Sequence, residues 1–122
     1  MVEEPSGGNV SDAERDCDAL IRGLGGTLTA FSVGKRAQVS HIPDRRYRLR
    51  GVAFWAEIKS KADKLTQKQI DFLHAEYDCG QIVFAGDAAM LRGLVLSLPS
   101  MWQDQGYEFF QAVIARGIRK VR

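Results

Sequence analysis

Pro43-Asp44 followed by Glu57-Ile58-Lys59 is a set of residue types that can hydrolyse a phosphodiester. Two carboxylates held ~4 Å apart repel by about 4 kcal/mol at an effective dielectric near ~20, so they call for a cation between them. Hard oxygen donors with open positions select Mg2+, with Mn2+ able to substitute, because such ions keep waters and accept phosphate oxygens. A cation so held polarises the phosphate and lowers the pKa of a bound water. A lysine on the same side, here Lys59, can orient that water and offset the charge that grows on the phosphate. Lys59 also belongs to a run with Lys61 and Lys64, so a merely solvated lysine is the competing reading.

That chemistry requires a scaffold that puts the three side chains on one face. Arg46–Leu49 and Val52–Lys59 are strand-like runs separated by Arg50-Gly51, and a two-residue turn ending in glycine predicts a hairpin. The turn sets Leu49 opposite Val52, Tyr47 opposite Phe54 and Arg45 opposite Ala56, which makes one face mainly apolar and turned to the core. The other face carries Asp44 opposite Glu57, Arg46 opposite Trp55 and Arg48 opposite Ala53, with Lys59 beyond. Cβ atoms of directly opposed residues stand only ~5 Å apart. A slip of one residue would send Tyr47 and Leu49 to the wrong side, so the apolar pattern pins the register.

The remaining elements follow from caps and periodicity. Ser11 and Glu14 form a capping-box signature, and Ala13, Cys17, Leu20, Ile21 and Leu24 give the ensuing helix one apolar face until Gly25-Gly26. Thr27–Val33 reads as a strand. Thr66-Gln67-Lys68-Gln69 is a second capping box, opening a helix through Ile70, Leu73 and Tyr77 that ends at Cys79-Gly80. Gln81–Ala85 is a short buried strand, and Gly86-Asp87 caps a helix running to about Leu98. Phe110, Val113, Ile114, Gly117 and Val121 mark a last amphipathic helix with a basic end. Residues 1–10 read as a flexible lead-in, 11–98 as the catalytic domain, and 99–122 as a C-terminal helix. The order predicts an α/β chain with a central mixed β-sheet flanked by helices.

His41-Ile42-Pro43-Asp44, Glu57-Ile58-Lys59 and Leu65-Thr66-Gln67-Lys68-Gln69 together resemble the virus-type replication-repair nuclease (VRR-NUC) domain of the PD-(D/E)xK superfamily, in its short stand-alone phage form. The resemblance spans roughly Ser11 to Ala89. It implies a restriction-endonuclease-like core and an Mg2+-dependent DNA endonuclease acting on four-way (Holliday) junctions. In that pattern Asp44, Glu57 and the carbonyl of Ile58 bind the metal, Lys59 is the catalytic lysine, and Gln69 reaches in from the following helix. Glu14 matches the family's acidic residue on the first helix. Gln69 and Glu14 each have the capping box as an alternative role. The family carries glycine where this chain has His41, which reads as a loop histidine or a proton shuttle. It also carries an apolar strand where this chain has Arg45-Arg46-Tyr47-Arg48, which predicts a more exposed edge strand.

Charge supports a polyanionic partner. Residues 35–64 hold nine basic and three acidic side chains, and residues 109–122 hold four basic and no acidic ones, while both other stretches are net acidic. Arg46, Arg48, Lys61 and Lys64, with Lys35 and Arg36 behind them, are the candidate phosphate contacts. The tail around Arg116, Arg119, Lys120 and Arg122 is the alternative surface. Trp55 can stack on a base or cover apolar surface, and His74 is expected on a helix surface. Symmetric junction cutting implies a homodimer, for which Leu94, Leu96, Leu98, Met101, Trp102, Phe109 and Phe110 are the candidate interface. Cys17 and Cys79 suggest reduced thiols. With no apolar leader or membrane span in the sequence, the expected location is the cytoplasm, that of the host if phage-encoded. Cys17, Cys79, His41 and His74 lack zinc-knuckle spacing. A nicking, flap or restriction-type nuclease, and a DNA-binding protein with a vestigial site, are the alternatives.

Overall fold

A computed structural model describes residues 12–31, 42–60, 63–97 and 102–119, with backbone only for Ile118 and Arg119. The elements run α1 (Asp12–Gly23), β1 (Thr27–Ala30), β2 (Arg45–Leu49), β3 (Val52–Ile58), β4 (Leu65–Thr66), α2 (Gln67–Asp78), β5 (Ile82–Gly86), α3 (Ala88–Val95), α4 (Trp102–Ile114) and β6 (Ile118–Arg119). Ser11, Lys35, Arg36, His41, Lys61, Leu98, Met101, Lys120, Val121 and Arg122, and the lead-in at 1–10, lie outside the described residues.

The main sheet has the order β1-β2-β3-β5. β1, β2 and β3 are antiparallel neighbours, whereas β5 returns through α2 to pair parallel with β3. The chain is therefore α/β with a mixed sheet flanked by four helices, the layout that a restriction-endonuclease-like core requires. The hairpin register is the one expected, with Leu49 opposite Val52, Tyr47 opposite Phe54 and Arg45 opposite Ala56. Arg50 (φ 55°) and Gly51 (φ 80°) both take the left-handed conformation that a tight turn between twisted strands demands. β2 is not an edge strand: β1 covers its other side, and Arg45 is buried. Its basic residues are accommodated by partners rather than by exposure.

Two apolar layers fill the faces. On one, Cys17 and Ile21 of α1 and Leu91, Leu94 and Val95 of α3 pack on Tyr47, Phe54, Ala56 and Phe84. On the other, Ile70 and Leu73 of α2 meet Val83, Ala85, Phe110 and Val113. α4 feeds both layers, with Trp102 entering the first and Phe110 the second. Its close approach depends on Gly106, where a Cβ would stand 2.7 Å from the Val83 carbonyl oxygen.

Three expectations change at this level. Leu94, Trp102 and Phe110 are fully used in the protomer's own core and offer no surface to a partner, whereas Leu96 is exposed. The last helix stops at Ile114. Gly117 N–H bonds the Ile114 carbonyl and takes φ 111°, after which the chain pairs as β6 parallel to β4. His74 is half-buried against Tyr107 and Phe110 of α4, because α4 covers that side of α2.

Candidate active site

The β2–β3 ladder ends at Arg45 opposite Ala56, one step short of Asp44. There the Asp44 carboxylate takes over from the backbone: Oδ2 accepts the Ile58 N–H at 2.9 Å. The Asp44 carbonyl accepts the Phe31 N–H at 2.8 Å and Arg45 Nη1 at 3.0 Å. This lashes Asp44 to the end of β3, beside Glu57. Lys59 leaves the strand with its N–H on the Gly86 carbonyl at 2.8 Å. Its Nζ lies 3.6 Å from Glu57 Oε2.

Gln69 both caps its helix and reaches Glu57. Its Oε1 accepts the Thr66 N–H at 2.8 Å while Thr66 Oγ1 accepts the Gln69 N–H at 3.1 Å, closing the capping box of α2. Its Nε2 donates to Glu57 Oε2 at 3.1 Å. One amide, used at both ends, thus ties the start of α2 to the acid on β3. Asp44, Glu57, Lys59 and Gln69 converge in this way, each less than 9 % exposed. Ile58 lies between Glu57 and Lys59 and gives its amide to Asp44.

Glu57 is the strained member. Burial pushes its carboxyl well above the usual range, the Asp44 carboxylate pushes it further, and Lys59 offsets part of this. Its Oε1 is buried and has no hydrogen-bond partner among the described residues. Two carboxylates in contact can share only a proton or a cation, so the orphaned oxygen marks where one is needed. Among the described residues no three His, Cys, Asp or Glu side chains gather as a ligand set. A cation here would rest on two carboxylates, with main chain, water and substrate oxygens completing the shell. That donor set suits Mg2+, which keeps most of its waters, and the residues present fit it.

Glu14 is buried on α1 with Oε2 3.7 Å from Arg45 Nη1, the nitrogen that also donates to the Asp44 carbonyl beneath the site. Arg45 forks onto Asp18, Nε to Oδ1 at 2.9 Å and Nη2 to Oδ2 at 3.0 Å, and the Tyr47 hydroxyl donates to the same Asp18 Oδ1 at 2.7 Å. Burial and the adjacent Asp18 carboxylate hold the Tyr47 phenol above its ordinary value. This network was missed in the sequence. The signal was present: Arg45 falls on the core side of the hairpin, and Glu14 and Asp18 share the buried stripe of Cys17 and Ile21.

No family model, curated protein or solved structure matches the chain. The candidate phosphate contacts therefore stand on their geometry alone. Arg48 is exposed, with Nη2 on Thr29 Oγ1 at 2.8 Å, and Lys64 is exposed. Arg46 is half-buried, its guanidinium 4.8 Å above the Trp55 ring and donating to Gln81 Oε1 at 3.1 Å. Trp55 is enclosed by Phe31, Phe72 and Arg46, and its indole N–H donates to Glu76 Oε1 at 2.7 Å. Its ring is half-buried among these neighbours.

Proposed function

We propose that the protein is a metal-dependent DNA endonuclease that hydrolyses phosphodiester bonds, with Mg2+ as the ion and Mn2+ able to replace it. The observation that carries this reading is Glu57: a buried carboxylate pressed against Asp44, with one oxygen held by Lys59 and Gln69 and the other unsatisfied. A structural role alone gives no reason to bury two acids together at the end of a strand. When bound, the ion would supply Lewis-acid polarisation of the phosphate and a more acidic water. Asp44 and Glu57, with the Ile58 carbonyl, would hold it. Lys59 orients the attacking water and balances the charge that develops on the phosphate. Gln69 keeps Glu57 Oε2 turned toward Lys59, which leaves Oε1 for the ion. Arg45 fixes the Asp44 main chain from below.

The resemblance to stand-alone VRR-NUC proteins makes a four-way junction the proposed substrate and a homodimer the proposed working form, in the host cytoplasm. A monomeric nicking or flap nuclease is the second reading. It is favoured by the burial of Leu94, Trp102 and Phe110 within the protomer, which removes apolar surface from a dimer contact. Labelled junction, flap, duplex and single-stranded DNA, each incubated with the protein and Mg2+, separate these readings. Junction cleavage should dominate and disappear in Asp44→Asn, Glu57→Gln and Lys59→Ala, with DNA binding retained. Wild-type rates in both carboxylate variants would overturn the site. Preferential flap or duplex cutting by a species of 13.6 kDa in light scattering would replace the junction reading with the second.

A further inference from the structure

The sequence leaves the basic 59–64 run and the basic C-terminal tail as rival DNA-binding surfaces, but the fold brings Lys64 and Arg116 to one corner. β6 pairs with β4, setting Ile118 beside Leu65 and Arg119 beside Thr66. The Lys64 side chain lies over Gly117, where a Cβ would stand 3.6 Å from both its Cε and Nζ. Arg116 reaches the same corner. Its Nη1 donates to the Ser60 carbonyl at 3.3 Å, one residue beyond Lys59, and its Nη2 contacts Met90 Sδ at 3.1 Å.

We propose that Lys64, Lys68 and Arg116, gathered by the β4–β6 pairing at the start of α2, form one phosphate-binding lobe that grips the DNA backbone beside the Asp44–Glu57 site. The inference rests on the nuclease reading for the identity of the polyanion, and it deepens that reading by naming the surface that holds it.

One placement makes little sense for the fold alone. The first turn of α2 has no acidic residue and carries Lys68 at its second position, at the positive end of a twelve-residue helix dipole. Helices gain stability from acidic side chains there, and a cation is the wrong sign. Lys64 lies against Gly117, the residue after Arg116. The acids nearest them in the chain rest on neutral donors. Asp63 Oδ2 accepts from the Ser60 N–H and hydroxyl, and Asp71 accepts from Gln67 Nε2 at 2.8 Å. A phosphodiester backbone resolves the Lys68 placement, since it meets the exposed lysines, Arg116 and the helix start together.

The test is the salt dependence of binding to a short fluorescein-labelled duplex, followed by anisotropy in EDTA so that no cleavage occurs. Lys64 and Lys68 are exposed, so their alanine variants keep the fold. Each should lower the slope of log K against log salt by about 0.9, and the pair by about 1.8. Arg92→Ala serves as the control. Arg92 is exposed and lines a groove between α1 and α3 on the opposite face, and its loss should leave the slope unchanged. Unmoved slopes in both lysine variants, or an equal loss in Arg92→Ala, would overturn the lobe. Cleavage by the wild type in Mg2+ is scored separately. Cutting without slope changes removes the lobe and leaves the nuclease. Slope losses without cutting of any DNA remove the nuclease and leave a DNA-binding lobe, and no binding at all removes both.

Discussion

Replacing Arg45 with methionine removes the cation on which the region beneath the site is built. The side chain is 1 % exposed, its fork meets Asp18 at 2.9 and 3.0 Å, and Glu14 stands 3.7 Å from Nη1. Opposite charges ~3 Å apart attract by about 5–6 kcal/mol at an effective dielectric of ~20, and much of that offsets desolvation. Arg45→Met strips the buried Asp18 carboxylate of its forked cation and takes the guanidinium from beside Glu14, which should cost about 3–5 kcal/mol. Asp18→Asn should cost less, about 1–2 kcal/mol. Asparagine keeps an oxygen for the Tyr47 hydroxyl, and Arg45 keeps Glu14 and the Asp44 carbonyl. In the Asp18→Asn background, Arg45→Met should cost about 2 kcal/mol less than in the wild type, because the Asp18 charge is gone. Urea unfolding followed by tryptophan fluorescence measures all four proteins, since Trp102 is buried and Trp55 half-buried. If Arg45→Met loses less than about 1 kcal/mol at unchanged m, the network is not holding the fold as argued. If that variant does not fold, the modest loss in Asp18→Asn still tests the ranking.

Three further outcomes follow from the same structure. In EDTA, Glu57→Gln should be more stable than the wild type at neutral pH and equal to it in acid. Glu57 has a raised pKa in the folded state, so its contribution is present below the ordinary carboxylate value and lost as pH rises through the raised one. The gap should widen by at most about 1.4 kcal/mol per pH unit, and denaturant melts across pH would show a flat difference if Glu57 were unperturbed. Gly106→Ala should lower the melting temperature although alanine favours helices, because its Cβ meets the Val83 carbonyl oxygen at 2.7 Å and α4 must retreat, at about 1–3 kcal/mol. An unchanged or higher melting temperature would mean that α4 does not lie this close to β5. A thiol reagent should label Cys79, which is exposed, and spare Cys17, which is buried with its thiol pushed up to about 12, until the protein is unfolded. Equal labelling of both in the native protein would contradict the packing of α1.

The hairpin was legible because two independent constraints coincide there: a glycine turn and an apolar alternation that tolerates no slip. The caps at Thr66 and Asp87 were legible because they are local chemistry. Arg45 was not. A lone charged residue on a core face reads as an exposed edge until its partner is known, and Asp18 lies 27 positions away. Trp102 and Phe110 illustrate a different limit, since an amphipathic helix carries the same stripe whether it meets its own core or a second copy. Gly117 as a helix stop, and β6 beyond it, were hidden by apolar spacing that runs on past the turn. Gln69 was read as either a cap or a site residue, and only three-dimensional placement shows one amide serving two elements.

Because that amide serves both, the start of α2 cannot loosen without letting go of Glu57, and Glu57 cannot swing away without leaving a helix end half-capped. Local opening and rearrangement of the acid are therefore a single event, seen from two places. The backbone N–H of Thr66, which sits on the Gln69 side chain, and that of Gln69, which sits on Thr66 Oγ1, become reporters of the acid's charge. Hydrogen exchange at these two positions should slow when a divalent ion is added and quicken in Gln69→Leu. Such a measurement detects occupancy of the carboxylate pair with no DNA present and no reaction to follow.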